Sequence, residues 1–208
     1  MVTYLASHPD VIQEAINAYQ VKEETRQVAQ SEVAIGPNRS ALERDPADFV
    51  ANPAGSITVT EFYDYRCPHC VNAAPAVLKI IKDNPDVRFV FKEYPVFGAT
   101  SETAAAAAIA VKRAGGDYLK VYAELMSVHP LTGEAVGHIL TEQGIALASL
   151  DQPAFLQAAN DQLSKTRKLA LALGVQGTPA FIVGDTMVPG DRMDEVRAAI
   201  NAARARKS

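Results

Sequence analysis

At 208 residues and 48% hydrophobic content, the chain can bury one sizeable core and still has room for an insertion or an arm. A formal net charge of −4, with no strong basic run, gives no reason to expect a nucleic-acid partner. No apolar stretch approaches the length that spans a bilayer. The opening Met-Val-Thr-Tyr-Leu-Ala-Ser-His-Pro lacks a basic region and a long apolar one, so no signal peptide is expected in it. It reads as the start of a cytosolic protein or of a mature form with an added methionine. Both cysteines fall in one motif, which suits an oxidising compartment where a spare thiol is a liability.

Ser7-His8-Pro9-Asp10 opens a helix, with Ser7 as cap and Asp10 as the nearby acid. The helix is predicted over residues 9–34, a length of about 39 Å. Leu5, Ile12 and Tyr19 recur at sevenfold spacing beside Ile16, and Val21, Val28 and Ile35 repeat the interval. Residues 22–32 are mostly polar and cannot form a core helix. The segment is either a solvated helix or flexible arm, or an oligomerisation arm with short heptad-like seams. Gly36-Pro37-Asn38 is expected to end it, dividing the chain into an arm over 1–36 and a domain over 37–208. A short helical piece over 40–44 and turns at Asp45-Pro46 and Asn52-Pro53-Ala54-Gly55 follow.

Residues 56–62 alternate as a strand, and Val71 to Lys82 continue as a helix, so Cys67-Pro68-His69-Cys70 lies on a strand-to-helix turn. A helix start offers unpaired N–H groups and the positive end of the macrodipole, which lower a thiol's pKa. Cys67 is therefore the expected exposed, attacking thiol, and Cys70, one turn inside, the resolving thiol. His69 can add a donor or a positive charge, and Pro68 suits the first helical position. The same spacing also fits half a zinc site or a structural disulfide. There is no third cysteine, His8, His129 and His138 are scattered, and a bridge across so short a loop constrains the unfolded chain little. Redox chemistry is the preferred reading.

Pro75 is expected to kink the motif helix. A strand over 87–94 makes a strand-helix-strand unit, hence a parallel pair with a right-handed crossover. Ser101 is expected to cap a helix reaching Arg113. Helices over 117–129, 134–143 and 153–174 complete a helical insertion at about 100–174. Thr178-Pro179 precedes a short strand over 180–183, a turn at Gly184-Asp185, a returning strand over 186–188 and a last helix over 191–206. On residue frequencies alone Thr178-Pro179 is an ordinary trans turn.

The Cys67-Pro68-His69-Cys70 turn, Pro75, the helical insertion and Gly177-Thr178-Pro179 before a hairpin together resemble the thioredoxin superfamily. Within it the chain resembles the DsbA-like thiol-disulfide oxidoreductases of the bacterial periplasm. Its first residues are similar to those of their copper-sensitivity-suppressor (Scs) relatives, some of which oligomerise. The resemblance implies an α/β thioredoxin fold with a mixed central sheet, a helical insertion and an N-terminal arm. It implies a cis Pro179 beside the reactive thiol, Glu61 as the buried acid beneath the disulfide and Lys92 as its charged neighbour. Ala74 stands where the best-known DsbA has a second acid, so a simpler proton relay is expected. It also implies protein substrates with thiols or disulfides, a membrane redox partner, a homo-oligomer through the arm (a trimer by resemblance) and a periplasmic location.

Catalysis is accordingly assigned to Cys67, Cys70, His69, Pro68 and Glu61, and substrate binding to Thr178 and Pro179. No cofactor, metal or nucleic acid is expected. Threonine before the proline resembles the isomerase-type members, so disulfide isomerisation is the leading reading if the protein oligomerises. The alternatives are a monomeric dithiol oxidase and a Cu(I)-binding module using both thiols and His69.

Overall fold

The structure, a computed structural model, describes residues 8–206. Leu5 and Ser7, named above as a seam residue and a cap, lie outside them. Helix α1 (Pro9–Glu43) has His8 at its N-cap. Strands β1 (Phe49–Ala51) and β2 (Ile57–Tyr63) follow, then helix α2 (Pro68–Asp83) and strand β3 (Val87–Glu93). The insertion comprises α3 (Ala99–Ala114), α4 (Tyr118–Ser127), α5 (Gly133–Glu142), a 3-10 turn (Leu147–Asp151) and an unbroken α6 (Pro153–Ala172). Strands β4 (Ala180–Val183) and β5 (Thr186–Pro189) and helix α7 (Met193–Ala205) close the chain.

The five strands lie in the order β1-β3-β2-β4-β5. Strands β2 and β3 are parallel, as the strand-helix-strand pattern requires, and the other three pairings are antiparallel, so the sheet is mixed. Strand β1 was not expected; it falls between two turn sequences and takes its register from Phe89–Phe91 of β3. Gly55 makes the turn between β1 and β2 feasible, because a Cβ there would lie 2.4 Å from the Arg88 amide nitrogen.

Both faces of the sheet are covered, and strand alternation sorts their residues. One face carries Val59, Tyr63, Phe89, Phe91, Phe181 and Val183 into a core shared with α2, α7 and the insertion helices. The other carries Phe62, Ala180 and Ile182 into a smaller core with Ile35, Leu42, Leu169 and Leu173. The sidedness corrects one expectation. Lys92 is in register with Phe62, not with Glu61, and therefore belongs to the second face. There its ammonium pairs with Asp48, both being almost fully buried, and also donates to the Ala41 carbonyl at 2.6 Å.

Helix α1 does not stop at Gly36-Pro37-Asn38; its 35 residues, about 52 Å, run through Pro37 and absorb the separate piece expected over 40–44. Proline inside a helix costs a hydrogen bond and a clash, but tertiary contacts outweigh that here. Ile35 and Leu42, two turns apart, are buried on one side of Pro37 and the other. The last-turn carbonyls, which a helix leaves unpaired, are taken up by the sheet: Lys92 binds Ala41 O, Thr60 Oγ1 approaches Leu42 O at 3.5 Å, and Arg88 binds Glu43 O at 2.7 Å. The sheet thus supplies the cap that the sequence lacks.

Replacing Lys92 with alanine should be costly, since it strands Asp48 in a buried site and frees a helix-terminal carbonyl. A loss of about 3–5 kcal/mol in urea unfolding is expected. The double change Lys92→Met with Asp48→Asn should recover most of it; equal losses in the single and double variants would show that the pair is not what matters.

Candidate active site

The site lies where β2 gives way to α2. Cys67 is the N-cap of α2, with φ −74° and ψ 119°, and Pro68 occupies the start of the helix as expected. The Cys67 amide bonds the Asp64 carbonyl at 3.1 Å, closing the turn. Both thiols are free. Cys70 is buried, and its sulfur accepts the Asp64 amide at 3.5 Å. Cys67 corrects the expectation of an exposed thiol: only 2% of its surface is accessible, because Thr178 covers it. In the protonated form its S–H donates to the Thr178 carbonyl at 3.0 Å.

Burial has not made Cys67 inert. Hydrogen bonding from the Cys70 thiol is the largest influence on it. Together with contact from Thr178 and the backbone N–H groups of Cys70 and His69, it outweighs desolvation and brings the thiol down to about 5. Cys70 moves the opposite way, pushed far up by burial and by its role as donor to Cys67. One thiol is held toward its thiolate, and its neighbour keeps its proton.

The bond between Thr178 and Pro179 is cis, as the resemblance implied; His129-Pro130 is cis as well, and was not anticipated. Pro75 lies inside α2, which continues past it to Asp83. The His69 ring has a partner away from the dithiol. The ring is largely exposed and pairs with Asp191 at 3.3 Å, which holds the Asp191 carboxyl below its ordinary value. The three-ligand set of Cys67, Cys70 and His69 is thereby not assembled. Among the described residues no group of three His, Cys, Asp or Glu side chains could hold a metal.

Glu61 is fully buried on the same sheet face as the cysteines' core, with Tyr122 Oη at 3.5 Å and its other oxygen unpartnered. Burial raises it to about 8, and the nearby Glu93 adds to the rise. Lys92, assigned as its charged neighbour, is on the opposite face, as described above.

Two carboxylates escaped the sequence reading. Asp64 accepts the amides of Arg66 (2.7 Å), Val96 (2.6 Å) and Phe97 (3.0 Å) and the hydroxyl of Ser101 (2.8 Å). Ser101 is therefore not the cap of α3, whose N-cap is Gly98. Glu93 is the other. It is buried among Tyr63, Tyr65 and Tyr118, whose hydroxyls lie 2.7, 3.0 and 2.7 Å from its Oε1. With Glu61 it makes a second buried acid on this face. The available signal was the alternation of β3, which places Glu93 in register with Tyr63 and on the face of Glu61.

A mixed sheet with a dithiol on a strand-to-helix turn and a cis proline against it defines a thioredoxin-like protein. Residues 58–201 match the DSBA-like thioredoxin domain, and the chain belongs to that family. It is 30% identical over 136 residues to the thiol:disulfide interchange protein DsbA of Bordetella parapertussis, covering 62% of this chain and 64% of that one, so it spans less than two-thirds of that relative's length. A thioredoxin-like oxidoreductase from Silicibacter pomeroyi superposes with a TM-score of 0.73 at 35% identity, over 82% of this chain and 99% of the other. Proteus mirabilis ScsC in a transitional conformation gives 0.74 at 27% identity, over 98% and 93%. The last comparison extends over α1.

An acidic Cys67 has a consequence for stability. Its folded value lies below its unfolded one, so ionisation stabilises the reduced fold. That contribution is complete above the unfolded value near ~8.5, shrinks as pH falls, and vanishes as pH drops through the folded value of about 5. Alkylation of the reduced protein should show a midpoint near 5 for Cys67, with Cys70 reacting far more slowly. A midpoint near ~8.5 would contradict this geometry.

Proposed function

We propose that the protein catalyses thiol-disulfide exchange through Cys67 and Cys70, as a periplasmic disulfide isomerase acting on misfolded secreted proteins. The acidic Cys67 at the start of α2 is the observation that carries the exchange chemistry. As a thiolate it attacks a wrong disulfide: a new S–S bond forms to one substrate sulfur and the other leaves as a thiolate. A second substrate thiol then displaces Cys67, or Cys70 does so and leaves the enzyme oxidised. Glu61 is the proposed acceptor of the Cys70 proton in that last step. Pro68 starts the helix at the nucleophile, and the His69 backbone N–H faces it. The Thr178-Pro179 backbone would receive the substrate chain in extended form.

The isomerase direction is supported by α1. Ile12, Ile16 and Tyr19 expose 43%, 45% and 65% of their surface along one sevenfold seam, which favours a partner helix from another protomer. The second seam behaves differently: Ile35 is in the domain's own core, and Val28 is half-buried beside Gly177, Thr178 and Pro179, lining a cavity of about 210 Å³. The arm proposed over 1–36 thus gives its far half to assembly and its near half to the substrate loop. Several sites around one cleft favour repeated attack on a bound substrate. The same arrangement hinders single-face docking by a membrane oxidase, which we propose as the redox partner of a monomeric form.

One observation favours that second reading, a dithiol oxidase. So acidic a leaving thiol stabilises the reduced enzyme and makes its disulfide oxidising.

Changing Ile12, Ile16 and Tyr19 together to glutamate separates the two. The variant should be monomeric, keep exchange with a small dithiol, and lose most of its ability to refold scrambled ribonuclease. If the unsubstituted protein is already monomeric at micromolar concentration, or the variant refolds ribonuclease equally well, isomerisation does not depend on the arm.

A further inference from the structure

The mechanism above leaves Glu93 without a role, although a buried carboxyl is costly and is normally kept for a reason. Its surroundings are unusual in one respect. Three phenol hydroxyls converge on a single oxygen, Oε1, while Tyr63 Oη also contacts Tyr118 Oη at 2.6 Å and Tyr65 Oη at 3.2 Å. Burial raises Glu93 to about 8, and the three hydroxyls oppose that rise by stabilising its ionised form. Glu61, by contrast, has one hydroxyl at 3.5 Å. Each carboxyl keeps one buried oxygen without a partner.

The groups that face this pair come from four elements. Cys70 comes from α2, Tyr118 and Tyr122 from α4, and Tyr63, Tyr65 and Asp64 from β2 and its turn, while Glu93 itself comes from β3. The basic residue nearest in sequence, Lys92, is committed to Asp48 on the other face. With the donors shared so unequally, a single negative charge on this face belongs on Glu93, and the proton belongs on Glu61.

We propose that Glu93, whose ionised form is favoured by Tyr63, Tyr65 and Tyr118, is a positioning residue that takes the single negative charge of this face, keeps the proton on Glu61 and thereby slows the resolution of mixed disulfides by Cys70. The inference rests on the exchange reaction proposed above. In that step the Cys67–substrate S–S bond breaks and the Cys67–Cys70 bond forms. The substrate leaves as a thiolate, and the Cys70 proton passes to the Glu61 carboxylate. The fraction of Glu61 that is ionised therefore sets the rate. A neighbour that suppresses this fraction prolongs the mixed disulfide, which gives a second substrate thiol time to displace Cys67. Glu93 would thus bias the site toward rearrangement and away from release.

Stopped-flow reaction of the full-length reduced protein with dithiobis(nitrobenzoate) resolves the two thiols. The first release of coloured thiolate reports attack by Cys67, and the second, unimolecular release reports resolution by Cys70. Absence of both releases in the unsubstituted protein would speak against exchange itself, separately from the role of Glu93. Glu93→Gln should lower the pH midpoint of the second release by about one unit, through loss of a like charge. Resolution should be several-fold faster below that midpoint. In a Glu61→Gln background the same change should have no such effect. Tyr118→Phe, which removes one donor from Glu93 and only one hydroxyl from the fold, should shift the midpoint the same way by less, and serves if Glu93→Gln does not fold. An unmoved or raised midpoint in a folded variant, or an equal shift with Glu61 already replaced, would overturn the proposal.

Discussion

The carboxylate of Asp64 holds the working end of this molecule together. It sits just beyond β2 and accepts hydrogen bonds from three backbone amides and one hydroxyl, which come from the cysteine turn, the loop after β3 and the first turn of α3. Its own amide points at the Cys70 sulfur, and its carbonyl receives the Cys67 amide. Arg66 completes the join by bonding the Phe97 carbonyl at 2.7 Å. Cys67, Cys70 and the entry to the insertion are all located from this one residue. Charge-assisted bonds to backbone N–H are among the stronger contacts available to a carboxylate, and three of them, with the Ser101 hydroxyl as a fourth donor, leave the turn little freedom.

The sheet then divides the remaining polar work between its faces. On one face Lys92 and Asp48 form a buried pair that caps α1 and ties the arm to the domain. On the other, Glu61 and Glu93 are buried among tyrosines beneath the cysteines. A parallel register that sets Lys92 opposite Phe62 and Glu93 opposite Tyr63 keeps the cation away from the acids. A cation on the other face of β3 would favour the ionised carboxyls and oppose the rise in pKa that burial gives them. The separation follows from strand alternation alone, and it lets one short strand anchor α1 on one face and carry a buried acid on the other.

Much of this was legible in the residues. Alternation over β2 and β3, the proline after Cys67 and the Gly177-Thr178-Pro179 hairpin entry were enough to place the dithiol, the parallel pair and the mixed sheet. What failed to show were contacts between segments distant in the chain. Pro37 reads locally as a helix end, and only Ile35, Leu42 and the capping donors of β2 and β3 reveal that it is not. Ser101 reads as a cap until Asp64, 37 positions earlier, claims its hydroxyl. Cys67 reads as exposed because nothing local indicates that Thr178 covers it. Glu93 carries no motif at all; its meaning comes from three tyrosines that converge only in the folded chain.

The environment of Cys67 stabilises the thiolate and so the reduced protein. Equilibrating the protein with glutathione buffers of known poise and trapping the free thiols measures that stabilisation. Half-oxidation is predicted at a potential well above that of thioredoxin, which lies at about −270 mV. A value at or below about −270 mV would mean that the reduced form gains nothing from the site, and would contradict the account.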